Sequence, residues 1–384
     1  MPWNQLEQLR LQGIAHFCES WGWVSHKIFA LTRGLLDPTL SSKGWGMRRP
    51  FVQRRRAQGE KRMMRRNFLR AAGLMAAGLS FHSRAGEKTD ANDEKDRPIT
   101  LDTTIGELLR RPEFAGYAEY LLPLEFGYRD DWTMRDIPHL LPYHTGVKPK
   151  ASVAILNRLS DRARRDEKVW IDLGREDVGL FAFPGRKGAP FVIVCPGGGF
   201  AYVGSIHEGF PYAEAFAAEG MNAFVLQYRT GSGRWACEDL ADAILRVRTM
   251  ADVDPDGYAL AGSSAGARMA AWLGSYGTEA FGRRAAPRPA AVIMAYTGLS
   301  EWQETDPATY MIQGTRDGIA PISVTDRRMR ALERAGVKVR YERINGRPHG
   351  FGLGTGTAAE GWIGRATAFW REAREENSRR EERS

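Results

Sequence analysis

The segment from Tyr258 to Trp272 reads Tyr-Ala-Leu-Ala-Gly-Ser-Ser-Ala-Gly-Ala-Arg-Met-Ala-Ala-Trp, an apolar strand passing through Gly-x-Ser-x-Gly into a helix. A serine on so sharp a turn needs small residues two places before and after it, since larger ones would strike the adjoining strand and helix. The pattern predicts that Ser264 projects its hydroxyl above a sheet. It also sets the Ala265 amide, at the helix start, to face a developing negative oxygen. With 42 glycines in the chain, the bare motif arises by chance about 0.2 times, so its setting between strand and helix carries the argument. The competing reading is a glycine turn capped by Ser263 or Ser264.

A serine hydroxyl near neutral pH needs a base, most often histidine. Beyond residue 85 the histidines are His139, His144, His207 and His349. His349 stands in Arg-Pro-His-Gly-Phe-Gly, a loop expected after the last strand and before the final helix. A carboxylate placed after a strand, between serine and histidine, would orient the imidazole and stabilise its charged form. Asp317 in Gly314-Thr-Arg-Asp-Gly fits that position, although Asp-Gly is also an ordinary turn signal. Asp306, which precedes the strand, is the reserve. Upstream, the apolar run Phe191 to Cys195 opens into Pro196-Gly-Gly-Gly-Phe. Its unobstructed amides at Gly197 and Gly198 are candidate oxyanion donors beside Ala265.

The elements that must position these groups have the rhythm of an α/β fold. Apolar runs of strand length fall at 168–173, 179–183, 191–195, 223–228, 258–261, 291–296, 310–313 and 337–344. Helical spacing appears at 208–218, 239–250, 265–273, 324–335 and 361–373. Such alternation predicts a mostly parallel sheet covered on both faces, with ligands bound beyond the carboxyl ends of the strands. Residues 99–165 read as a small helical region, with a helix after Thr104, another over 114–122 and a third over 151–164 beyond a break at Pro149. This region could cover the site as a lid. The sheet domain is expected over 166–376, followed by a charged tail, 377–384.

The chain has 384 residues, 43% of them hydrophobic, enough for a full core. Its net charge of +9 is unevenly spread: residues 1–85 hold 15 basic and 4 acidic groups, and the remainder holds 40 and 42. A nucleic-acid surface needs its basic groups on the folded domain, so that class is disfavoured. The sequence from Met64 to Ala85 has the order of a secretory signal, with Arg65-Arg66 before Phe-Leu, an apolar stretch over 71–81, and Ser83-Arg84-Ala85 as a cleavage site. It predicts recognition by the twin-arginine export machinery, a mature start at Gly86, a flexible linker over 86–98, and a periplasmic or secreted protein. The apolar stretch is too short for a stable membrane span. Residues 1–62 form a basic extension, and translation is expected to start at Met63 or Met64. Cys195 and Cys237 could pair in an oxidising compartment. No cysteine pair has zinc spacing, His207-Glu208 reads as an incidental histidine beside a helix-start glutamate, and neither metal nor cofactor is implied.

Together Pro196-Gly-Gly-Gly-Phe, Gly262-Ser-Ser-Ala-Gly, Gly314-Thr-Arg-Asp-Gly and His349-Gly-Phe-Gly resemble bacterial α/β-hydrolase esterases, most of all those grouped with acetyl-xylan and feruloyl esterases. The order Ser264, Asp317, His349 is also that of this fold. The resemblance covers about residues 168–375. It implies hydrolysis of a carboxylic ester, with sugar-linked acetyl and feruloyl esters as the expected class, Ser264, Asp317 and His349 as triad and Gly197, Gly198 and Ala265 as oxyanion donors. Two positions depart from the hormone-sensitive-lipase-like branch: Pro196 stands where those enzymes have histidine, and Ser263 where they often have aspartate. A peptidase or amidase of the same fold and a non-catalytic binding protein on a hydrolase scaffold are the other readings.

Overall fold

Apolar runs without alternation need cover on both faces, and here they build one eight-stranded sheet. The computed structural model describes residues 97–123, 128–140 and 144–382. These all belong to one compact unit, Lys88–Ser384. The basic extension, the signal segment and residues 86–96 of the expected linker lie outside the described residues. The strands are β1 (Trp170–Arg175), β2 (Val178–Phe183), β3 (Pro190–Cys195), β4 (Asn222–Gln227), β5 (Asp254–Ser263), β6 (Ala291–Ala295), β7 (Ala308–Gly314) and β8 (Val339–Ile344). Their order is β1-β2-β4-β3-β5-β6-β7-β8. The β1–β2 and β2–β4 pairs are antiparallel, and all others are parallel. Every residue of β3, β4 and β6 is buried.

Ahead of the sheet, α1 (Ile105–Arg110) starts at Thr104 in a reciprocal capping box with Glu107, which satisfies two otherwise orphaned amides. The helix expected over 114–122 is absent. Two 3₁₀ turns, Pro112–Phe114 and Ala118–Tyr120, flank Gly116 at φ +91°. The three-residue spacing of Phe114, Tyr117 and Tyr120 suits that tighter winding. Tyr117 and Tyr120 stack on Trp170 of β1, at ring-centroid distances of 5.9 and 5.1 Å. After α2 (Ile137–Leu140) comes α3 (Pro149–Arg164). Pro149 opens α3 instead of breaking the chain before it, because the first helical residue needs no amide hydrogen.

The remaining helices are α4 (Phe210–Ala218), α5 (Gly233–Val247), α6 (Ala265–Tyr276), α7 (Ile322–Arg334) and α8 (Trp362–Glu381). Right-handed crossovers decide their faces. The β3–α4–β4 step moves toward the β1 edge, whereas β4–α5–β5, β5–α6–β6 and β7–α7–β8 move the other way. So α4 lies on one face and α5 to α7 on the other. α8 packs back on α4, and α5 packs on α6. α8 continues through the run expected to be a charged tail, which is rich in the helix formers Arg and Glu. The sense of crossover reverses around β3, so a crevice opens at the carboxyl ends of β3 and β5. Strand order, directions and layering are those of an α/β-hydrolase fold. Among the described residues no helix is long and apolar enough to cross a membrane.

Candidate active site

The turn after β5 carries Ser264 with φ +51° and ψ −116°, a conformation that a side chain adopts only under strain of roughly 1–3 kcal/mol. Its flanking glycines make that turn possible. A Cβ on Gly262 would lie 2.5 Å from the Gly266 backbone, and one on Gly266 would lie 1.9 Å from the Cys195 carbonyl oxygen. The Ser264 amide donates to the Ala295 carbonyl of β6 (2.9 Å), tying the turn to the neighbouring strand. Ser264 remains partly exposed, while Asp317 and His349 are buried.

The structure brings the three residues into one line. His349 Nε2 lies 2.9 Å from Ser264 Oγ, and His349 Nδ1 lies 2.8 Å from Asp317 Oδ2. Asp317 follows β7 in a turn in which its Oδ1 accepts the amides of Ile319 (2.9 Å) and Ala320 (2.8 Å). Oδ2 also accepts from Gln313 Nε2 (2.8 Å). A carboxylate so held fixes the Nδ1–H tautomer and leaves Nε2 free to take a proton. Asp306 is elsewhere, bonded to Ser275 Oγ (2.5 Å) and paired with Arg328 (2.7 Å). Burial raises the Asp306 carboxyl and lowers the Arg328 guanidinium. This internal ion pair leaves Asp306 no part in the site.

The oxyanion side departs from expectation at one residue. The Gly197 amide donates inward to Glu208 Oε2 (2.8 Å) and Ser263 Oγ (3.2 Å), so it is not available to a substrate oxygen. Gly198 lies at φ +138°. A Cβ there would sit 2.0 Å from the Tyr202 carbonyl oxygen. Among the described residues the amides of Gly198 and Ala265 carry no hydrogen bond, and Ala265, first in α6, has no intrahelical acceptor. These two remain as candidate donors.

Sequence reasoning missed the group behind that loop. Glu208 lies in a π-helical turn, Ser205–Gly209, with no exposed surface. Its Oε2 accepts from Ser263 Oγ (2.5 Å) as well as from Gly197, and Oε1 accepts from the Tyr296 hydroxyl (2.9 Å). His144 Nδ1 stands 2.9 Å from Oε1. Burial alone would raise the Glu208 carboxyl, but the neighbouring His144, His207 and Ser263 outweigh it and hold the group below the usual carboxylate range. His207 donates through Nε2 to the Gly350 carbonyl (3.1 Å), and its ring meets the His144 ring at 4.7 Å. Burial, helped by His144, pushes its imidazole down to about 4.

His207-Glu208 is thus joined by a third ligand-type residue from far along the chain, contrary to the reading of the pair as incidental. All three offer atoms within 4.8 Å of one another. The carboxylate already meets four polar partners, three as hydrogen-bond donors and His144 Nδ1 as a close contact outside hydrogen-bond geometry. The only hint in the sequence is the apolar pair Ile206 and Phe210 on either side of the glutamate.

The described parts of the N-terminal region pack on β1, β2 and α4. They reach the site through His144 and Thr145, and Thr145 Oγ1 donates to the His349 carbonyl (3.0 Å). His139 is exposed. Cys195 and Cys237 are buried and no disulfide joins them, and burial raises the Cys195 thiol.

Strand order and the crevice at β3 and β5 define the class as an α/β-hydrolase fold. Solved structures similar to it include MGS-M1, an α/β hydrolase from a Medee basin deep-sea metagenome library (21% identity, TM-score 0.46, covering 54% of this chain and 97% of that one). Another is an acetyl ester-xyloside bifunctional hydrolase from Caldicellulosiruptor lactoaceticus (20%, 0.47, 53% and 95%). A third is a thermophilic esterase from Thermogutta terrifontis (23%, 0.46, 53% and 93%). No protein-family model and no curated protein matches the chain.

Proposed function

We propose that this chain is a serine esterase. The reading is carried by one observation: His349 bridges Ser264 Oγ at 2.9 Å and Asp317 at 2.8 Å. In this reading His349 Nε2 takes the Ser264 hydroxyl proton as Oγ bonds to the ester carbonyl carbon. The negative oxygen of the tetrahedral intermediate receives the Gly198 and Ala265 amides. As the C–O bond breaks, imidazolium returns its proton to the departing alcohol, leaving Ser264 acylated. Water, deprotonated by His349, then attacks the acyl carbon and releases the acid and the free serine. Asp317 stays ionised throughout and stabilises the imidazolium.

Sugar-linked acetyl or feruloyl esters are the substrates that the resemblance to acetyl-xylan and feruloyl esterases implies. The segment from Met64 to Ala85 supports export by the twin-arginine route to the periplasm or beyond. Incubating the purified protein with a fluorophosphonate probe and p-nitrophenyl acetate tests the mechanism. Wild type is expected to be labelled and to hydrolyse the ester, and Ser264→Ala to do neither. Hydrolysis surviving in Ser264→Ala sinks the reading, and turnover of peptides in preference to esters moves it to an amidase.

A further inference from the structure

The feature left unused by that mechanism is a fully buried carboxylate. An ionised side chain without solvent is strongly unfavourable unless hydrogen bonds and opposite charge compensate it. The four partners that compensate Glu208 come from four separate segments. Gly197 immediately precedes the candidate donor Gly198, and Ser263 immediately precedes the nucleophile. Tyr296 follows β6 with φ +38°, and its ring packs edge-on against His349 (5.1 Å) and Phe351 (4.7 Å). His144 adjoins Thr145, whose amide donates to the Gly350 carbonyl (2.9 Å) and whose hydroxyl donates to the His349 carbonyl. His207, stacked edge-on against His144, holds the Gly350 carbonyl as well.

We propose that Glu208 is the positioning residue of this active site: one carboxylate, bound to the oxyanion loop, the serine turn, Tyr296 and His144, keeps the Gly198 donor, Ser264 and His349 in mutual register. It touches no reacting atom. The proposal rests on the serine-esterase reading and adds to it the N-terminal region, which supplies His144 and Thr145 to the network. Glu208→Gln has nearly the same shape, yet its amide must turn an N–H₂ group toward one of two sets of donors. In one orientation it faces Gly197 and Ser263, and in the other Tyr296 and His144. Either way one set loses its acceptor and shifts. Displacement of a catalytic group by about 1 Å, or loss of one oxyanion donor, lowers turnover about 10²-fold.

The experiment compares wild type, Glu208→Gln, Tyr296→Phe and His144→Gln as full mature chains. Active sites are titrated with the fluorophosphonate, and kcat and KM are measured on p-nitrophenyl acetate. The inhibition constant of an alkyl trifluoromethyl ketone, whose adduct places an oxyanion in the same hole, is measured on each. The expected result for Glu208→Gln is a kcat about 10²-fold lower per titrated site, a KM within about threefold of wild type, and a ketone inhibition constant raised by a factor close to the loss in kcat/KM.

Tyr296→Phe and His144→Gln, which each change one partner, are expected to lose about tenfold in kcat with the same weakening of the ketone. They carry the test if Glu208→Gln does not fold. Wild-type kcat per titrated site in the folded variants overturns the proposal, as does a loss of kcat with no change in ketone affinity. Wild type that is neither labelled nor active fails at the esterase reading instead, and the two failures are thereby distinguished.

Discussion

A buried neutral histidine makes a fold sensitive to acid, and His207 is such a group. Its value in the folded chain is about 4 against 6.5 for the free side chain. Burial is the larger cause and the adjacent His144 adds to it, while the Glu208 carboxylate and the Gly350 carbonyl oppose them. Because the folded value lies below the unfolded one, the unfolded chain binds a proton that the native state refuses. The resulting stabilisation is present above pH 6.5 and is lost as pH falls toward 4. The gap of about 2.5 pH units is worth about 3 kcal/mol at the acid limit, and about 2 kcal/mol of that falls between pH 7 and pH 5. His207→Gln keeps an N–H group for the Gly350 carbonyl and does not titrate. Urea unfolding of both proteins at pH 7 and pH 5 isolates the effect of His207 and of its coupling to His144 and Glu208, since the titrating groups outside this cluster are common to both and cancel in the difference. Wild type is expected to lose about 2 kcal/mol more than the variant across that interval. Parallel losses in the two proteins would refute the assignment of a buried neutral imidazole.

Three further outcomes follow from contacts in the same structure. Asp317→Asn keeps the shape of the triad but favours the wrong histidine tautomer, so kcat on p-nitrophenyl acetate per folded molecule is expected to fall about 10⁴-fold. Gly266→Ala sets a methyl 1.9 Å from the Cys195 carbonyl oxygen, and no flexible side chain is there to yield. Thermal melts are expected to show a loss of about 1–3 kcal/mol, together with a fall in activity as the serine turn parts from β3. Arg328→Met strands the Asp306 carboxylate, both partners being nearly inaccessible. A loss of about 3–5 kcal/mol is expected in urea melts, with kcat per folded molecule unchanged because the pair lies outside the triad.

The sheet and the triad are legible in the sequence because each signal is local. The run Phe191 to Cys195 has no polar residue to face water, so it reads as a buried strand, and β3 spans Pro190–Cys195. Ser264, Asp317 and His349 each sit on a short segment whose glycines announce a turn at a strand end. The residues that escape are those whose meaning depends on partners far away. Gly197 and Gly198 are indistinguishable as letters. The difference arises because the Glu208 carboxylate captures the first amide and the second meets no acceptor among the described residues. Gly116 cancels a helix that the apolar spacing of its neighbours supports.

Glu208 is the sharpest case, since a glutamate near a helix start is ordinarily solvated and favoured by the helix dipole. Its burial follows from an extra-wide turn beneath it, from Tyr296 beyond β6 and from His144 ahead of the whole sheet. None of these is visible in a window around residue 208. The same dependence gives the network its functional sense. A charge compensated by four segments can remain buried only while all four are in place, so the arrangement of the loops and the ionisation of one carboxylate are a single equilibrium. Substitutions at 144, 208, 263 and 296 should accordingly combine non-additively, although as many as 152 residues separate the first from the last.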